Sequence, residues 1–370
     1  MQSKSAFNLS EKFNFHRTKK TVRNRTVLAA MTNKQSHANG VISDEEIQWL
    51  VRRAEGGFGI ITTAAANVSI HGQGWEGELG VFDDMHIDRL KILTNKINLR
   101  RSIAIAQLFH GGMRSPESLT GKQPISASKI KCEESFTGFT RSASAKDINN
   151  IINDFTSAAI RCVESGFDGI ELHGAHGYLI SQFLGTKTNI REDRWGGNLK
   201  NRSRLLFEIY NSIKSNVPDS FIVGVRISPE LLNIGITIDD SIKLVSILRD
   251  MKIDYIHLSC WDVFTNSQTH PNNPKTLTEL IIENFDRLPP IISTGNIWSS
   301  IDAINTLKQG ADLIGVARVG IAHPDWANNI HDLNYNPKKP PFTIEHLKSK
   351  DLSDAFINYM KRWKKFVKDK

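Results

Sequence analysis

Cysteine is scarce in this sequence, with three residues in a chain of 370, Cys132, Cys162 and Cys260. The three are far apart and form no CxxC pair, so neither disulfides nor a cysteine-ligated zinc site is expected. They are also too few for an iron–sulfur cluster held by four cysteines within this chain. The cysteine content therefore argues against a cluster-carrying electron-transfer protein.

Long apolar runs are also missing. The sequence contains no stretch of about 18 consecutive apolar residues, the length that a membrane-spanning helix needs. The first 20 residues, MQSKSAFNLSEKFNFHRTKK, have no apolar core of the kind that secretory signal peptides carry. We therefore expect no membrane span and a cytoplasmic location.

The charge balance is basic, with a formal net charge of +8. An excess of this size can indicate a nucleic-acid or anionic-membrane partner. The lysines are dispersed, however, apart from the run KRWKKFVKDK at 361–370, which we interpret as a solvated helix end. A positive field that attracts phosphorylated cofactors would explain part of the excess. We therefore expect neither nucleic acid nor a membrane as a partner.

Short apolar runs alternate with helix-length segments along the chain, whose composition, 39% hydrophobic and 23% charged, suits a globular protein. The pattern predicts an α/β fold of the (β/α)8 type, a TIM barrel. The barrel would span about 20–330 of a single domain covering 1–370, with an excursion at 109–144 after the third strand and a helical tail at about 340–370. The predicted strands are 25–31, 59–63, 103–108, 169–172, 221–227, 255–259, 290–293 and 312–316.

A doubly wound sheet is the competing fold. It needs fewer strands and a glycine-rich phosphate turn after the first strand. Here the first predicted strand ends in Met31, Thr32 and Asn33, and no GxGxxG or P-loop motif occurs anywhere. The barrel is therefore favoured.

The residues best suited to chemistry lie in the stretch 169–204, GIELHGAHGYLISQFLGTKTNIREDRWGGNLKNRSR. A short apolar strand is followed at once by His173, His176 and Tyr178. Two imidazoles and a phenol would then lie at the carboxyl end of a strand, where parallel α/β folds bind ligands. Two histidines three residues apart can also bind zinc, but no third ligand has a suitable spacing, so no metal is expected. A purely structural histidine pair is the other alternative.

This stretch resembles the signature of the old yellow enzyme family, the flavin-dependent NAD(P)H:ene oxidoreductases. The shared pattern is a strand, His, two small residues, His or Asn, Gly-Tyr-Leu and a Gln-Phe-Leu helix. It continues with an Asn-x-Arg-x-Asp turn, an aromatic-Gly-Gly group and Asn-Arg. The resemblance covers about residues 10–335 and implies the single-domain form of the family, with tightly bound FMN at the mouth of a barrel.

The resemblance also implies a reaction. NAD(P)H would reduce FMN and leave, and flavin N5 would then pass hydride to the β-carbon of an electrophilic alkene, which gives ping-pong kinetics. His173 and His176 would donate hydrogen bonds to the carbonyl or nitro oxygen of the alkene. Tyr178 would protonate the α-carbon. NADH versus NADPH, and a monomer versus a homo-oligomer, stay open.

The resemblance assigns FMN-binding roles to residues at several strand ends. Thr32 would contact the edge of the isoalloxazine, Gln107 the pyrimidine edge, and Arg226 the N1/O2 edge, where negative charge accumulates on reduction. Ala65 would be small enough for the flavin to lie flat. The loops after the last two strands would bind the phosphate. The full set is Ala30, Met31, Thr32, Ala65, Gln107, Arg226, Gly295, Asn296, Ala317 and Arg318.

The chain departs from the family pattern at two of these positions. Ala30 stands where relatives usually have proline, and Ala317 stands where they usually have glycine. An alanine amide can still donate to a phosphate, provided that its backbone angle suits a residue with a Cβ. The backbone at Ala317 therefore provides a structural check on this role.

Two other functions remain as alternatives. A flavin-binding barrel without turnover could act as a sensor, although the presence of His173, His176 and Tyr178 argues against it. A flavin-free barrel lyase or isomerase would stay colourless after reconstitution with FMN. A larger relative with an iron–sulfur cluster and a further FAD or NAD domain would need more cysteines and a longer chain.

Overall fold

The computed structural model describes residues 8–368 of the chain. Eight parallel strands form a sheet that closes because β1 pairs with both β8 and β2. A short extra strand, Leu79–Gly80, extends the β2 side. The predicted (β/α)8 barrel is confirmed. Its strands are β1 (Thr26–Leu28), β2 (Ile60–Asn67), β3 (Ile103–Phe109), β4 (Gly169–Gly174), β5 (Ile222–Ile227), β6 (Tyr255–Ser259), β7 (Ile291–Thr294) and β8 (Leu313–Val316).

β1 and β2 differ most in length from the prediction, and β4 continues two residues further than predicted, to Gly174. β1 ends at Leu28 rather than at residue 31, although the Ala29 N–H still donates to the Val316 carbonyl at 2.9 Å. β2 continues to Asn67 because a register shift between Thr62 and Ala65 lets it resume its pairing with β3. The sequence predicted that Ala65 follows β2, but in the structure it lies inside this strand.

Helices cover the outside of the barrel between successive strands, and three of them begin with capping boxes. The helix predicted at 198–215 is divided at Ser203 into Leu199–Arg202 and a longer helix. The main helices are α1 (Asp44–Glu55), α2 (Ile87–Asn98), α3 (Ala145–Glu164), α4 (Arg204–Lys214), α5 (Ile238–Asp250), α6 (Leu277–Ile282) and α7 (Ser300–Lys308).

The start of α1 differs from the expected capping box. The Ser43 hydroxyl accepts the N–H of Glu46, as the sequence predicts. The Glu46 carboxylate turns inward, however, and accepts hydrogen bonds from Asn33 at 2.8 Å and Ser36 at 2.6 Å. Because Asn33 and Ser36 belong to the loop after β1, these hydrogen bonds hold that loop against α1.

Short elements complete the chain between and beyond these strands and helices. They include one-turn helices after β2, β3 and β8, and a helix directly after β4. The short helices are Ile70–Gly72, Asp84–His86, Gly112–Arg114, Glu117–Thr120, Leu179–Leu184, Arg318–Ala322, Trp326–Asn329, Ile344–Lys348 and Asp354–Met360. Two pairs of short strands lie outside the barrel, Phe13–Phe15 with Lys20–Val22 and Ile125–Ser126 with Arg141–Ser142.

The excursion contains more secondary structure than the sequence indicated, and the tail contains less helix. The segment between β3 and α3 contains one-turn helices and a two-stranded sheet. Residues 344–368 contain two short helices, after which the chain turns back so that the Phe342 N–H donates to the Phe366 carbonyl at 2.9 Å. Within residues 8–368, no helix is both long and apolar enough to cross a membrane.

The N-terminal hairpin, Phe13–Phe15 with Lys20–Val22, packs against the amino ends of the barrel strands. Phe15 and Val22 lie in a buried cluster with the first residues of several strands, among them Ile60 and Tyr255. The Arg17 guanidinium donates to Asp254 at 2.6 Å and to the Asp219 carbonyl at 3.0 Å, which ties the hairpin to the barrel. The hairpin therefore closes one end of the barrel and leaves the other end for ligands.

We predict that Phe15→Ala lowers the free energy of unfolding by about 3–5 kcal/mol, the usual loss for a large buried aromatic. Phe15 is 2% exposed, whereas its neighbour Phe13 is only partly buried, so Phe13→Ala is the matched control. Urea unfolding monitored by circular dichroism measures both. Equal losses in the two variants would contradict a sealing role for Phe15.

Candidate active site

The register of the sheet places polar side chains side by side near the carboxyl ends of the strands. Arg226 on β5 lies opposite His173 on β4 and His257 on β6. Nearer the amino ends of the strands, Gln107 on β3 lies opposite Glu171 on β4. Because neighbours in register point to the same face of a sheet, these groups face one interior. A closed barrel therefore concentrates them in one place.

The structure brings His173, His176 and Tyr178 together. The two imidazole rings are perpendicular with centroids 4.9 Å apart, and the His173 and Tyr178 rings are 5.0 Å apart. His176 has a positive φ of 61° and Gly177 one of 76°. This left-handed turn after β4 reverses the chain, so that Tyr178 returns beside His173.

Hydrogen bonds indicate which ring nitrogens can donate. The His173 Nδ1 accepts the Ala175 N–H at 3.3 Å, so its proton lies on Nε2. The His176 Nε2 lies 2.7 Å from the Ser259 hydroxyl, which also accepts from Arg226 at 3.0 Å. When Ser259 donates to His176, the His176 Nδ1 carries the remaining proton. Both imidazoles then keep one free N–H.

Burial, and then the positive charges of neighbouring groups including Arg226, lower the pKa of both His173 and His176 well below the usual value. Both rings are therefore neutral at physiological pH. A neutral imidazole donates a hydrogen bond without bringing a full charge, which suits the stabilisation of a developing oxyanion.

The Tyr178 ring is fixed by two neighbours. Phe109 packs edge-on against it with centroids 4.5 Å apart, and the Arg114 guanidinium lies 4.5 Å from its centroid. Arg114 also donates to the His176 carbonyl at 3.0 Å. Burial raises the pKa of Tyr178, although the positive charge of Arg114 partly opposes this effect. The phenol therefore stays protonated at neutral pH and can act as an acid.

Arg226 tests whether the interior suits a flavin. Its side chain is 4% exposed and donates to the Ala30 carbonyl at 3.2 Å and to Ser259. Its Nε has no hydrogen-bond partner within residues 8–368. A buried N–H of a cation without an acceptor is unfavourable. The N1/O2 edge of a flavin would supply such an acceptor, so the residue fits the expected cofactor.

The loops after β7 and β8 form a second group. Gly295 has φ of 154°, and a Cβ there would lie 2.5 Å from the Cys260 carbonyl oxygen, so this position requires glycine. The Arg318 guanidinium lies 3.4 Å from the Asn296 side-chain oxygen, and both side chains are exposed. Ala317 has φ of −119° and ψ of −89°, so it does not lie in the left-handed region that favours glycine. The departure from glycine at this position therefore involves no positive φ.

The remaining predicted residues lie nearby. Met31 and Thr32 are partly exposed in the loop after β1, whereas Ala65 is buried beside Gln107. The Gln107 Nε2 donates to Glu171 at 2.7 Å. The ten predicted flavin-binding positions thus fall into one group around Arg226 and another around Arg318.

Sequence reasoning missed Ser259, Arg114 and Glu171, which form hydrogen bonds with predicted residues. It also missed His257, which lies opposite Arg226. Two of them carried a signal, because Glu171 and His257 are ionisable residues inside otherwise apolar strands, where such groups need partners. Ser259 and Arg114 carried none, since their roles depend on contacts across the barrel mouth.

The comparison with known proteins settles the family. The model of the NADH:flavin oxidoreductase / NADH oxidase family matches residues 14–336. The chain belongs to this family. It is therefore an oxidoreductase with FMN and NAD(P)H as its cofactors, and the predicted membership of the old yellow enzyme family is confirmed.

Individual relatives agree with this assignment. A probable NADH-dependent flavin oxidoreductase of Bacillus subtilis (strain 168) is 32% identical over 317 residues, covering 84% of this chain and 85% of the relative. The NADH:fumarate oxidoreductase of Klebsiella pneumoniae (strain 342) is also 32% identical over 84% of this chain, but the match spans only 34% of that longer protein. The structure of an old yellow enzyme homologue from Zymomonas mobilis superposes with a TM-score of 0.81 at 24% identity, covering 94% of this chain and 99% of that one, which shows the shared fold.

A buried histidine beside the site gives a pH-dependent prediction. His110 accepts the Gly112 N–H through Nδ1 at 3.0 Å, and its carbonyl accepts the Leu179 N–H at 3.1 Å. Burial, and then the neighbouring His71, lower the pKa of His110 to about 4. Below the unfolded value of about 6.5, the unfolded chain takes up a proton that the folded protein does not. Stability should therefore fall as the pH decreases from 6.5 towards 4.

His110→Asn should reduce this loss by roughly 3 kcal/mol, because asparagine keeps an acceptor but does not titrate in this range. Chemical denaturation of the variant and the unsubstituted protein at pH 7 and pH 4 measures the difference. His16→Asn, at an exposed position, is the control. An unchanged pH dependence in His110→Asn would show that His110 does not titrate as inferred.

Proposed function

We propose that this protein reduces electrophilic C=C bonds, such as those of enones, with NAD(P)H as the reductant and FMN as the intermediate carrier. The observation that carries the proposal is the cluster of two imidazoles and one phenol, with the His173 ring centroid 4.9 Å and 5.0 Å from the other two, beside a buried guanidinium. When bound, FMN supplies reversible hydride acceptance and donation, which amino-acid side chains cannot provide.

The residues proposed to hold FMN belong to the two groups defined above. Arg226 and Gln107 would contact the pyrimidine side of the ring, and Ala65 leaves room because its side chain is small. Backbone N–H groups and one guanidinium suit a phosphate. The proposed set is Ala30, Met31, Thr32, Ala65, Gln107 and Arg226 for the ring, and Gly295, Asn296, Ala317 and Arg318 for the phosphate.

His173 and His176 would bind the activating oxygen of the substrate. Their ring centroids are 4.9 Å apart, which allows one N–H from each ring to reach a single oxygen atom. As the β-carbon accepts hydride, negative charge grows on this oxygen, and preorganised donors stabilise it more than they stabilise the substrate. The pair would thereby both orient the alkene and activate it.

Tyr178 would protonate the α-carbon. Its raised pKa keeps the proton on the phenol until a strongly basic carbon develops. Phe109 and Arg114 restrict its ring, so the acid is positioned before the substrate binds. The oxygen donors and the carbon acid are thus different groups.

The double variant His173→Ala/His176→Ala tests the donor role. We expect it to retain FMN and its reduction by NAD(P)H, while turnover of an enone falls by about 10²–10³-fold or more, the loss typical of removing an oxyanion donor. Anaerobic stopped-flow separates flavin reduction from alkene reduction. His331→Ala, at an exposed site, is the control. Full turnover in the double variant would refute the assignment.

Tyr178→Phe tests the acid. Removing the phenol oxygen should slow alkene turnover by about 10²–10⁴-fold, while flavin reduction by NAD(P)H stays the same. The measurement is the rate of reoxidation of the reduced protein by an enone under anaerobic conditions. Equal slowing of both half-reactions would instead indicate a general disturbance of the site.

An optical titration addresses the two alternative functions. The purified protein should show flavin absorbance that NADH or NADPH bleaches anaerobically and that an enone restores. Bleaching without restoration by a panel of electrophilic alkenes would favour a flavin-binding barrel without this turnover. A protein that stays colourless after reconstitution would favour a flavin-free lyase or isomerase.

A further inference from the structure

A buried carboxylate lies below the proposed flavin-binding residues. Glu171, on β4, is 1% exposed. Its Oε1 accepts from the Gln107 amide at 2.7 Å, and its Oε2 accepts from the Tyr255 hydroxyl at 3.1 Å and from the His257 Nδ1 at 2.7 Å. Three donors from two other strands, β3 and β6, therefore converge on one side chain. The roles proposed above do not use it.

Glu171 is the anion of this group. Burial works against its ionisation, but the hydrogen bonds from His257 and Gln107 and the positive charge of Arg226 outweigh that effect and lower its pKa. Burial also lowers the pKa of His257 and keeps this imidazole neutral. His257 can then donate from Nδ1 to Glu171 while its Nε2 accepts from Thr294 at 2.6 Å. The carboxylate therefore keeps its negative charge beside Arg226.

This arrangement fixes the orientation of the Gln107 amide. Its nitrogen donates to Glu171, so its carbonyl oxygen points the other way and is left to accept. The pyrimidine ring of a flavin carries an N–H between two carbonyl groups. An amide held in this orientation presents an acceptor to that N–H. Glu171 would thus determine which atom of the Gln107 amide faces the flavin, without contacting the flavin itself.

We propose that Glu171 is a positioning residue that sets the reduction potential of the bound flavin. It would act in two ways, by orienting the Gln107 amide and by offsetting the positive field of Arg226. The flavin gains negative charge on reduction, so a nearby anion disfavours the reduced form and lowers the potential. The inference rests on the proposed FMN-binding residues.

Glu171→Gln tests this inference through the sign of the potential shift. Removing the charge should favour reduced FMN by about tenfold, which is a positive shift of about 30 mV for a two-electron couple. Tyr255→Phe keeps the charge but removes one donor, so the less neutralised carboxylate should shift the potential in the negative direction. Anaerobic equilibration with a reference dye measures both potentials.

Asp254→Asn is the control, because Asp254 is also a buried carboxylate but binds Arg17 of the N-terminal hairpin, at the opposite end of the barrel. Its replacement should leave the potential nearly unchanged. Shifts of the same sign in Glu171→Gln and Tyr255→Phe, or no shift in Glu171→Gln, would overturn the proposal and leave Glu171 with a packing role.

The design separates this inference from the proposed function. If the unsubstituted protein does not bind FMN after reconstitution, the proposed function itself fails. If it binds FMN but Glu171→Gln does not, the Tyr255→Phe potential decides: a negative shift supports the proposal and an unchanged value refutes it. Thermal unfolding of each variant without cofactor shows whether the fold is retained.

Discussion

The interior of this barrel is organised around one buried cation. Transferring the charge of Arg226 from water into a closed barrel is unfavourable unless its N–H groups and its charge are compensated. The Ala30 carbonyl and the Ser259 hydroxyl compensate two of its nitrogens, and Glu171 lies within its electrostatic reach. The Nε, which has no hydrogen-bond partner within residues 8–368, is the part of the guanidinium that we propose binds the flavin. The polar groups around Arg226 thus serve to compensate its buried charge and N–H groups.

Ser259 connects the cation to the histidine pair. Its hydroxyl accepts from Arg226 and lies 2.7 Å from the His176 Nε2, so one oxygen atom links the buried guanidinium to the histidine pair. The positive charge of Arg226 also contributes to the lowered pKa of both His173 and His176. The residue proposed to stabilise reduced flavin would therefore also help to keep the substrate-binding imidazoles neutral.

Local sequence patterns predicted the strands and the cluster of His173, His176 and Tyr178, because these residues follow one another in a single strand and turn. Long-range contacts were not predictable in this way. The extension of β2 depends on its register with β3, and the tail depends on a return to Phe342. Likewise, Ser259 is 83 residues from His176, and His257 is 86 residues from Glu171. Only the closed barrel brings them together.

Burial shifts the pKa of the histidines and the pKa of the tyrosine in opposite directions, and both shifts favour the proposed chemistry. It disfavours the charged imidazolium and the charged phenolate alike, so it lowers the pKa of the histidines and raises that of Tyr178. A cationic histidine could transfer its proton to the substrate oxygen and compete with protonation at carbon. Neutral histidines would stabilise the oxygen without releasing a proton, which agrees with the proposed role of Tyr178 as the acid. A single physical cause thus separates activation of the alkene from its protonation.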